Sequence, residues 1–414
     1  MKALLQALLP HSFYRALVAP YHFLLAFFSA LRYGFPARKL RVVLVTGTKG
    51  KSTVTEMIAA ILSTEGMVAV SSTIHFRIGS TDVPNLYKMT LPGRGFIQKF
   101  LADAVAAGAK TAVIETTSEA ALQSRHLFLA PNALVFTNLQ KEHLESHGGM
   151  ENYFRAKFRI GKALVASGKR PRVIVANADD EYGRRFLALP VEKRIPFART
   201  DAKDANLDAR GVSFALDGVS FSVPHPGEMT VMNALAAARL AEALGVPLPA
   251  AAEALRALVR IPGRAERIEC GQPFAAVVDY AHTPDSLAAL YAAYPGRKIC
   301  VLGNTGGGRD AWKRPLMGQI ADDACAEVIL TDEDPYDEDP NAIVAAMASG
   351  MKRPPSVVMD RREAIREALS RAKEGDVVLI SGKGTDPYIM GAHGAKTRWS
   401  DAEVVREELE QLLK

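Results

Sequence analysis

Residues 41–66 read RVVLVTGTKGKSTVTEMIAAILSTEG, and their order decides the fold. An apolar, β-branched run ends at Thr46, a glycine-bearing turn follows, and from Val54 onward the apolar residues recur at helical spacing. Strand, glycine turn and helix in that order are the required context of a phosphate loop. Gly47 and Gly50 let the backbone around Thr48 and Lys49 turn its N–H groups toward phosphate oxygens. Lys51 supplies a point charge, and Ser52, followed by Thr53, offers a hydroxyl to Mg²⁺. The loop departs from the common pattern at Val45, where a glycine is usual.

Outward from this loop, TAVIET (111–116), ALVFTN (133–138) and RVIVAN (172–177) are further short apolar runs with polar ends, alternating with helical stretches. That alternation predicts a mostly parallel sheet covered by helices, with ligands at the polar strand ends. GVSFALDGVSFSV (211–223) alternates around Asp217-Gly218 and predicts a hairpin at the edge of this domain. Two Ala-rich helices follow. After Pro262-Gly263 a second series begins, FAAVVDY, KICVLG, AEVILT, SVVM and DVVLIS, which predicts a second Rossmann-like doubly wound unit. The expected fold is α/β: an apolar helical segment at 1–40, a phosphate-loop domain at 41–262 and a second doubly wound domain at 263–414.

The 414 residues suit two or three domains, and 48% hydrophobic with 23% charged residues is ordinary globular composition. This excludes a disordered, collagen-like or multi-span membrane chain. Three scattered cysteines, Cys270, Cys300 and Cys325, are too few for a disulfide framework or a four-thiolate zinc site, and suggest a reducing compartment, the cytoplasm. A net charge of +6 suits anionic small molecules and falls short of a nucleic-acid-binding signature. Near the amino terminus, Phe13 to Phe35 is apolar and aromatic. Phe23 to Leu31 is shorter than the ~20 residues a span needs, and Pro20 breaks the run on its amino side. The segment reads as a helix packed on the next domain or as an interfacial anchor, with peripheral membrane contact through residues 13–35.

Glu115 ends the second strand and would emerge beside the phosphate loop as a metal ligand. FTNLQKEHLESHGGMENYFRAKFRIGKAL (136–164) then offers His143, His147 and Lys157 after a third strand.

Together these pieces resemble the Mur ligases, closest to the tripeptide synthetases among them. GTKGKST, IETTSEA, FTNLQKEHLESHGGMENYFRAKF, NADD, MNALAAA, IPGRAER, VDYAHTPDSL, GGGRDAWKRPLMG, TDEDPYDEDP and ISGKGTD follow in that family's order over residues 41 to about 390. The resemblance implies ATP bound by Gly47, Thr48, Lys49, Gly50, Lys51, Ser52 and Thr53, with Asn233 at the adenine, Arg264 at the phosphates and Asp279 at the ribose. It implies Mg²⁺ held by Ser52 and Glu115, and a second ion held by His143 with a carbamylated Lys157. Thr90, Thr117 and Arg125 match contacts to a nucleotide-sugar peptide. The last domain, which brings Arg264 and Asp279, would complete the site on closure.

The implied reaction is phosphorylation of a carboxylate by ATP, then attack of an amino acid's amine on the acyl phosphate. Two unit charges at ~3.5 Å repel by roughly 5 kcal/mol at an effective dielectric near 20, more than a thousandfold in rate. Convergent cations answer that need.

Members that add diaminopimelate carry Arg in a DNPR run, whereas the aligned residues here are Glu333, Asp334, Pro335 and Tyr336, with Asp386 in GKGTD. An acidic pocket without a carboxylate clamp favours a basic side chain such as lysine or ornithine. Family members also open with a domain that grips uridine diphosphate, whereas this sequence reaches its ATP loop at Gly47. The uridine is then held differently or the acceptor differs, and the apolar segment would bring the protein to a membrane-linked acceptor. The competing readings are a folylpolyglutamate-synthase-like ligase and a non-catalytic nucleotide-binding scaffold near the membrane. The expected partners are a nucleotide-sugar peptide and a free amino acid, with no nucleic acid, and the expected state is a monomer.

Overall fold

The computed structural model describes residues 11–414 except 94, 143–146 and 309, with side chains from residue 20 onward. Contacts divide the chain into two compact units: residues up to Asp201 with Met232–Ala254, and Ala202–Val231 with Leu255–Lys414.

The first unit is built on an eight-stranded sheet. Its strands are β1 (Arg41–Thr46), β2 (Val68–Ser71), β3 (His75–Ile78), β4 (Thr81–Pro84), β5 (Thr111–Glu115), β6 (Ala133–Phe136), β7 (Val173–Asn177) and β8 (Lys193–Phe197). Their spatial order is β4-β3-β2-β5-β1-β6-β7-β8. From β2 to β8 neighbouring strands are parallel, with Val45 opposite Glu115 on one side and Val135 on the other. The apolar runs read from the sequence are thus β1, β5, β6 and β7. Every residue of β5 and β6 is buried, as expected of strands covered on both faces. Antiparallel β3 and β4 extend the sheet at one edge; β4 is exposed at all four residues, so no alternation marked it as a strand.

Helix α1 (His11–Arg32) precedes the sheet and runs through Pro20, so the expected break there does not occur. Pro20 lies exposed, where solvent can meet the carbonyl that its missing N–H leaves unpaired. Helix α2 (Lys51–Leu62) follows the phosphate loop, α3 (Phe96–Ala106) and α4 (Ser118–Leu122) flank β5, and α5 (Met150–Val165) precedes β7. No described helix is long and apolar enough to cross a membrane.

In the second unit, β9 (Lys203–Leu207), β10 (Val212–Leu216) and β11 (Val219–Val223) form a three-stranded antiparallel sheet. The expected hairpin is present: Leu216 faces Val219, and Asp217 and Gly218 both take positive φ (49° and 81°) in the turn. The Ala-rich helices are α6 (Glu228–Ala243), which crosses from one unit to the other, and α7 (Leu248–Ala257).

The larger sheet has order β12-β13-β17-β14-β15-β16, from β12 (Glu266–Ile268), β13 (Ala275–Asp279), β14 (Lys298–Leu302), β15 (Glu327–Leu330), β16 (Ser356–Val357) and β17 (Val377–Ser381). All neighbours are parallel except the β12–β13 pair. Alternate residues feed opposite cores: Cys300 and Leu302 pack with Leu379 on one face, Ile299 and Val301 with Val378 and Ile380 on the other. Each such buried aliphatic side chain contributes about 1.5–3 kcal/mol relative to exposure.

Helices α8 (Arg361–Arg371) and α9 (Asp401–Leu412) are tied by a buried Arg361–Asp401 pair at 2.7 Å, and Arg361 also donates to the carbonyl of Ser381 in β17. The small hairpin β18 (Tyr388–Met390) and β19 (Lys396–Arg398) lies between them in sequence. Cys300 and Cys325 are joined in a single disulfide, a pairing that three scattered cysteines did not suggest. They lie 25 residues apart in sequence, and only the fold brings the ends of two segments together.

Candidate active site

The loop Gly47–Gly50 leaves the carboxyl end of the central strand β1, between β5 and β6, which is where an open α/β sheet opens its ligand crevice. Its conformation requires glycine twice. Gly47 has φ +153°, and a Cβ there would lie 1.9 Å from the Thr137 hydroxyl; Gly50 has φ +79°, and a Cβ there would lie 2.3 Å from Asn233 Oδ1. The end of β6 braces the loop from beneath. The Lys49 amide donates to Asn138 Oδ1 (3.0 Å), the Thr137 hydroxyl donates to the Lys49 carbonyl (2.7 Å), and the Thr48 amide donates to the Asn138 carbonyl (2.8 Å). Lys51 opens α2, and its ammonium reaches the Thr48 carbonyl at 2.9 Å. Thr53 is half-buried one turn into the same helix.

Glu115 ends β5 beside this loop and is buried. Ser52 Oγ donates to it at 2.9 Å, the Thr73 amide donates at 2.9 Å, and the Thr73 hydroxyl donates at 3.1 Å. Thr73 Oγ1 also lies 2.8 Å from Thr90 Oγ1, so Thr90 joins the site through Thr73.

Lys157 lies on α5 and is 1% exposed, with its ammonium donating to the Gly47 carbonyl at 2.6 Å and sitting 4.6 Å from the centroid of the Tyr153 ring. Burial, then the nearby Lys51 charge, hold its pKa well below the usual lysine value, against the opposing charges of Glu142 and Glu115. Lys49 pairs with Glu142 at 3.1 Å, and the Tyr153 hydroxyl is 3.3 Å from that of Thr48.

Thr117 caps α4 by accepting from the Ala120 amide, and Arg125 donates to the Leu91 carbonyl at 2.6 Å. Burial lowers the pKa of Arg125. His147 approaches Ser118 Oγ at 3.1 Å, and burial lowers its pKa. His143 lies outside the described residues. Asn233 belongs to the part of α6 that groups with this unit and touches the loop at Gly50.

Sequence reasoning missed Thr73, Thr137, Asn138, Glu142 and Tyr153. Asn138 carried a signal, as a polar residue at a strand end. Thr73 carried none, because its partner Glu115 is 42 residues away.

In the second unit, the candidate residues gather at the carboxyl ends of β13, β15 and β17. Asp279 accepts from the Ala265 amide (2.6 Å) and the Ala281 amide (2.7 Å), and so fixes the turn that presents Arg264 over the Tyr280 ring at 4.5 Å. Burial raises the pKa of Asp279. Gly263 has φ +61°, and a Cβ there would lie 2.6 Å from the Thr385 amide, so the turn packs directly on the GKGTD loop.

Lys383, which sequence reasoning left without a role, is the hub of the acidic cluster. It is buried against Asp334 at 2.8 Å and reaches Asp386 at 3.3 Å. Glu333 is buried as well; its Oε1 accepts from the Thr305 hydroxyl, while Oε2 finds no hydrogen-bond partner among the described residues. Burial, against the Arg361 and Lys383 charges, raises its pKa. Tyr336 takes positive φ (52°) and donates its amide to the Met390 carbonyl.

Ser52 and Glu115 form a hard oxygen set, which fits Mg²⁺, a cation that keeps several waters and shares phosphate oxygens. Among the described residues no group of three His, Cys, Asp or Glu side chains stands close enough to make a full protein cage.

Comparisons with known proteins identify the family. Residues 45–241 match the Mur ligase middle domain, and residues 263–384 match the Mur ligase glutamate ligase domain. A UDP-N-acetylmuramyl-tripeptide synthetase of Roseiflexus sp. (strain RS-1) is 38% identical over 94% of this chain and 82% of its own length. A solved UDP-N-acetylmuramoyl-L-alanyl-D-glutamate--2,6-diaminopimelate ligase is 31% identical with a TM-score of 0.62, over 91% of this chain and 79% of that one. A Mycobacterium tuberculosis folylpolyglutamate synthase shares the fold with a TM-score of 0.69 at 16% identity, over 86% of this chain and 91% of that one. Two matched domains and a close relative over most of both lengths place the chain in the Mur ligase family of ATP-dependent ligases.

Proposed function

We propose that the protein joins an amino acid, a diamino acid, to a UDP-N-acetylmuramyl-dipeptide-like precursor of peptidoglycan. A substrate carboxylate oxygen attacks the γ-phosphorus of ATP and ADP departs. The amine of the incoming amino acid, having lost a proton, then attacks the acyl carbon, and phosphate departs as the amide forms. The observation that carries this reading is the convergence of the phosphate loop, Lys51, the Ser52–Glu115 pair and the buried Lys157 at one strand end.

In this reading the loop amides and Lys51 bind the ATP phosphates and offset the repulsion between carboxylate and phosphate. Ser52 and Glu115 would hold Mg²⁺, which supplies further charge neutralisation when bound. Thr73 orients Glu115, and Thr90, Thr117 and Arg125 line the approach of the acceptor.

Lys157 fits carbamylation. Its amine is fully buried and disposed to be neutral, the form that adds to CO₂ with loss of a proton, and the product anion would face the cations Lys51 and Lys49. The carbamate would stand as an oxygen ligand for a second Mg²⁺.

Arg264 and Asp279 are assigned to ATP, and Glu333, Asp334, Tyr336 and Asp386 to the amino acid. Asp334 and Asp386 are occupied by Lys383, so the free acceptor capacity rests on Glu333 Oε2. Together with Tyr336 in place of an arginine, this supports a terminal ammonium over a second carboxylate. The reaction belongs where ATP is made available, in the cytoplasm. The likeness to folylpolyglutamate synthase supports the fold alone, and a scaffold without turnover has no need of Lys51, Glu115 and Lys157 together.

The test is ADP release by the purified protein with UDP-N-acetylmuramyl-dipeptide, across lysine, ornithine, diaminopimelate and glutamate. Lysine or ornithine should give the highest kcat/KM. Turnover confined to a folate acceptor with glutamate would refute the reading, and so would no turnover with any pair.

A further inference from the structure

Helix α1 is two-faced in a way that its packing does not use up. One face holds it to the first unit: Ala30 is fully buried, Phe27 packs against Phe35 and Phe128 at ring separations of 6.4 and 5.7 Å, and Ser29 lies against Gly95. The other face carries Tyr21, Leu24, Phe28 and Leu31, at spacings of three, four and three residues, which is a single stripe along a helix. All four are exposed, Tyr21 at 56% and Phe28 at 59%. Isolated apolar residues on a surface are ordinary, but a continuous stripe on one helix marks an interaction face.

Charge says what covers it. Residues 1–41 contain six cations, Lys2, Arg15, Arg32, Arg38, Lys39 and Arg41, and no aspartate or glutamate. Arg32, Arg38 and Lys39 are exposed where α1 ends and the chain turns toward β1. Arg38 rests over the Phe35 ring at 4.5 Å, which holds its charge beside the apolar helix. An anionic polymer such as nucleic acid would meet the cations and leave the stripe in water. A neutral apolar protein surface would bury the stripe and leave the cations without use.

We propose that the outer face of α1 docks on an anionic lipid surface. Tyr21, Leu24, Phe28 and Leu31 enter the boundary between headgroups and acyl chains, and Arg32, Arg38 and Lys39 pair with lipid phosphates. The helix lies in the plane of the surface and does not cross it. The inference is independent of which amino acid or acceptor the ligase uses.

The experiment is flotation of the full chain with vesicles of phosphatidylglycerol and phosphatidylethanolamine, set against vesicles of phosphatidylcholine alone, at about 0.1 M and about 0.5 M salt. The protein should float with the anionic vesicles at low salt, and its bound fraction should fall roughly tenfold on phosphatidylcholine or at high salt. Leu24→Glu with Phe28→Glu should abolish flotation at an unchanged melting temperature, since both side chains are solvent-facing. Arg32→Gln with Arg38→Gln and Lys39→Gln should weaken it on anionic vesicles only. Absence of flotation with anionic vesicles overturns the proposal, as does flotation that neither variant alters. Sedimentation supplies the other arm: a dimer in free solution that Leu24→Glu with Phe28→Glu converts to monomer would assign the stripe to a second copy of the chain and end the proposal.

Discussion

Lys157 sets the sharpest conflict between burial and charge in the first unit. An ammonium buried there donates to the Gly47 carbonyl and faces a second cation in Lys51. A structural lysine would be better replaced by an apolar residue, because desolvating an ion costs several kcal/mol. Its retention is understood if the side chain is an anion in the working enzyme. Lys157→Ala should therefore lower kcat by at least about a hundredfold, the scale of losing one preorganised electrostatic group. Short carboxylic acids added to that variant should restore part of the rate, and CO₂-depleted buffer should slow the wild type. A Lys157→Ala enzyme with unchanged kcat would remove the carbamate. None of this burial was visible in the sequence, where a lysine on a helix reads as a surface cation with a pKa near ~10.4. Its importance came from the family pattern, its environment from the fold.

At the scale of elements, α2 and the β3–β4 edge are joined by a histidine that sequence reading passed over. His75 in β3 places Nε2 2.9 Å from Glu56 on α2 and Nδ1 3.0 Å from Asp82 on β4. Burial by itself would lower the His75 pKa; the Glu56 hydrogen bond and the charges of Glu56 and Asp82 outweigh it, against a smaller opposing effect of Arg77, and the pKa is raised. A raised folded-state pKa means that the native state binds the proton more tightly than the unfolded chain. The stabilisation is then fully present below the unfolded value of ~6.5 and fades as pH rises through the folded value. The wild type should lose melting temperature over that interval relative to His75→Gln, whose profile lacks this step. Parallel profiles for the two proteins would show that the triad carries no proton linkage. In the first sheet the strands that the sequence revealed, β1, β5, β6 and β7, are buried on both faces, where apolar runs are continuous. Exposed β4 and the three-residue β12 and β18 carry too little burial to leave a pattern.

At the scale of the whole chain, order along the sequence and contact in space draw different partitions. Sequence order proposes one boundary near Pro262. The chain passes from one unit to the other three times, after Asp201, after Val231 and after Ala254, the middle passage falling inside α6. The partitions differ over residues 202–231, which carry the sheet β9–β11, and over the shorter stretch 255–262. The sheet buries Val212, Phe214, Leu216, Phe221 and Val223, with the Phe214 and Phe221 rings stacked at 5.2 Å, while Ala209 packs on a core of the second unit and Arg267 reaches the Ala209 carbonyl. A small antiparallel sheet needs a packed apolar face to persist. Composition could not locate that support, because a hairpin's alternation says which face is apolar and nothing about which neighbour covers it. A fragment of residues 41–262 should therefore be cleaved within 202–231 at least about tenfold faster than the full chain, since local opening tracks lost burial. Residues 232–254, which group with the first unit, should keep their protection in the same digest. Equal protection of 202–231 in fragment and full chain would assign the sheet's stability to the first unit, and the boundary near Pro262 would then describe the folding domains as well as the sequence.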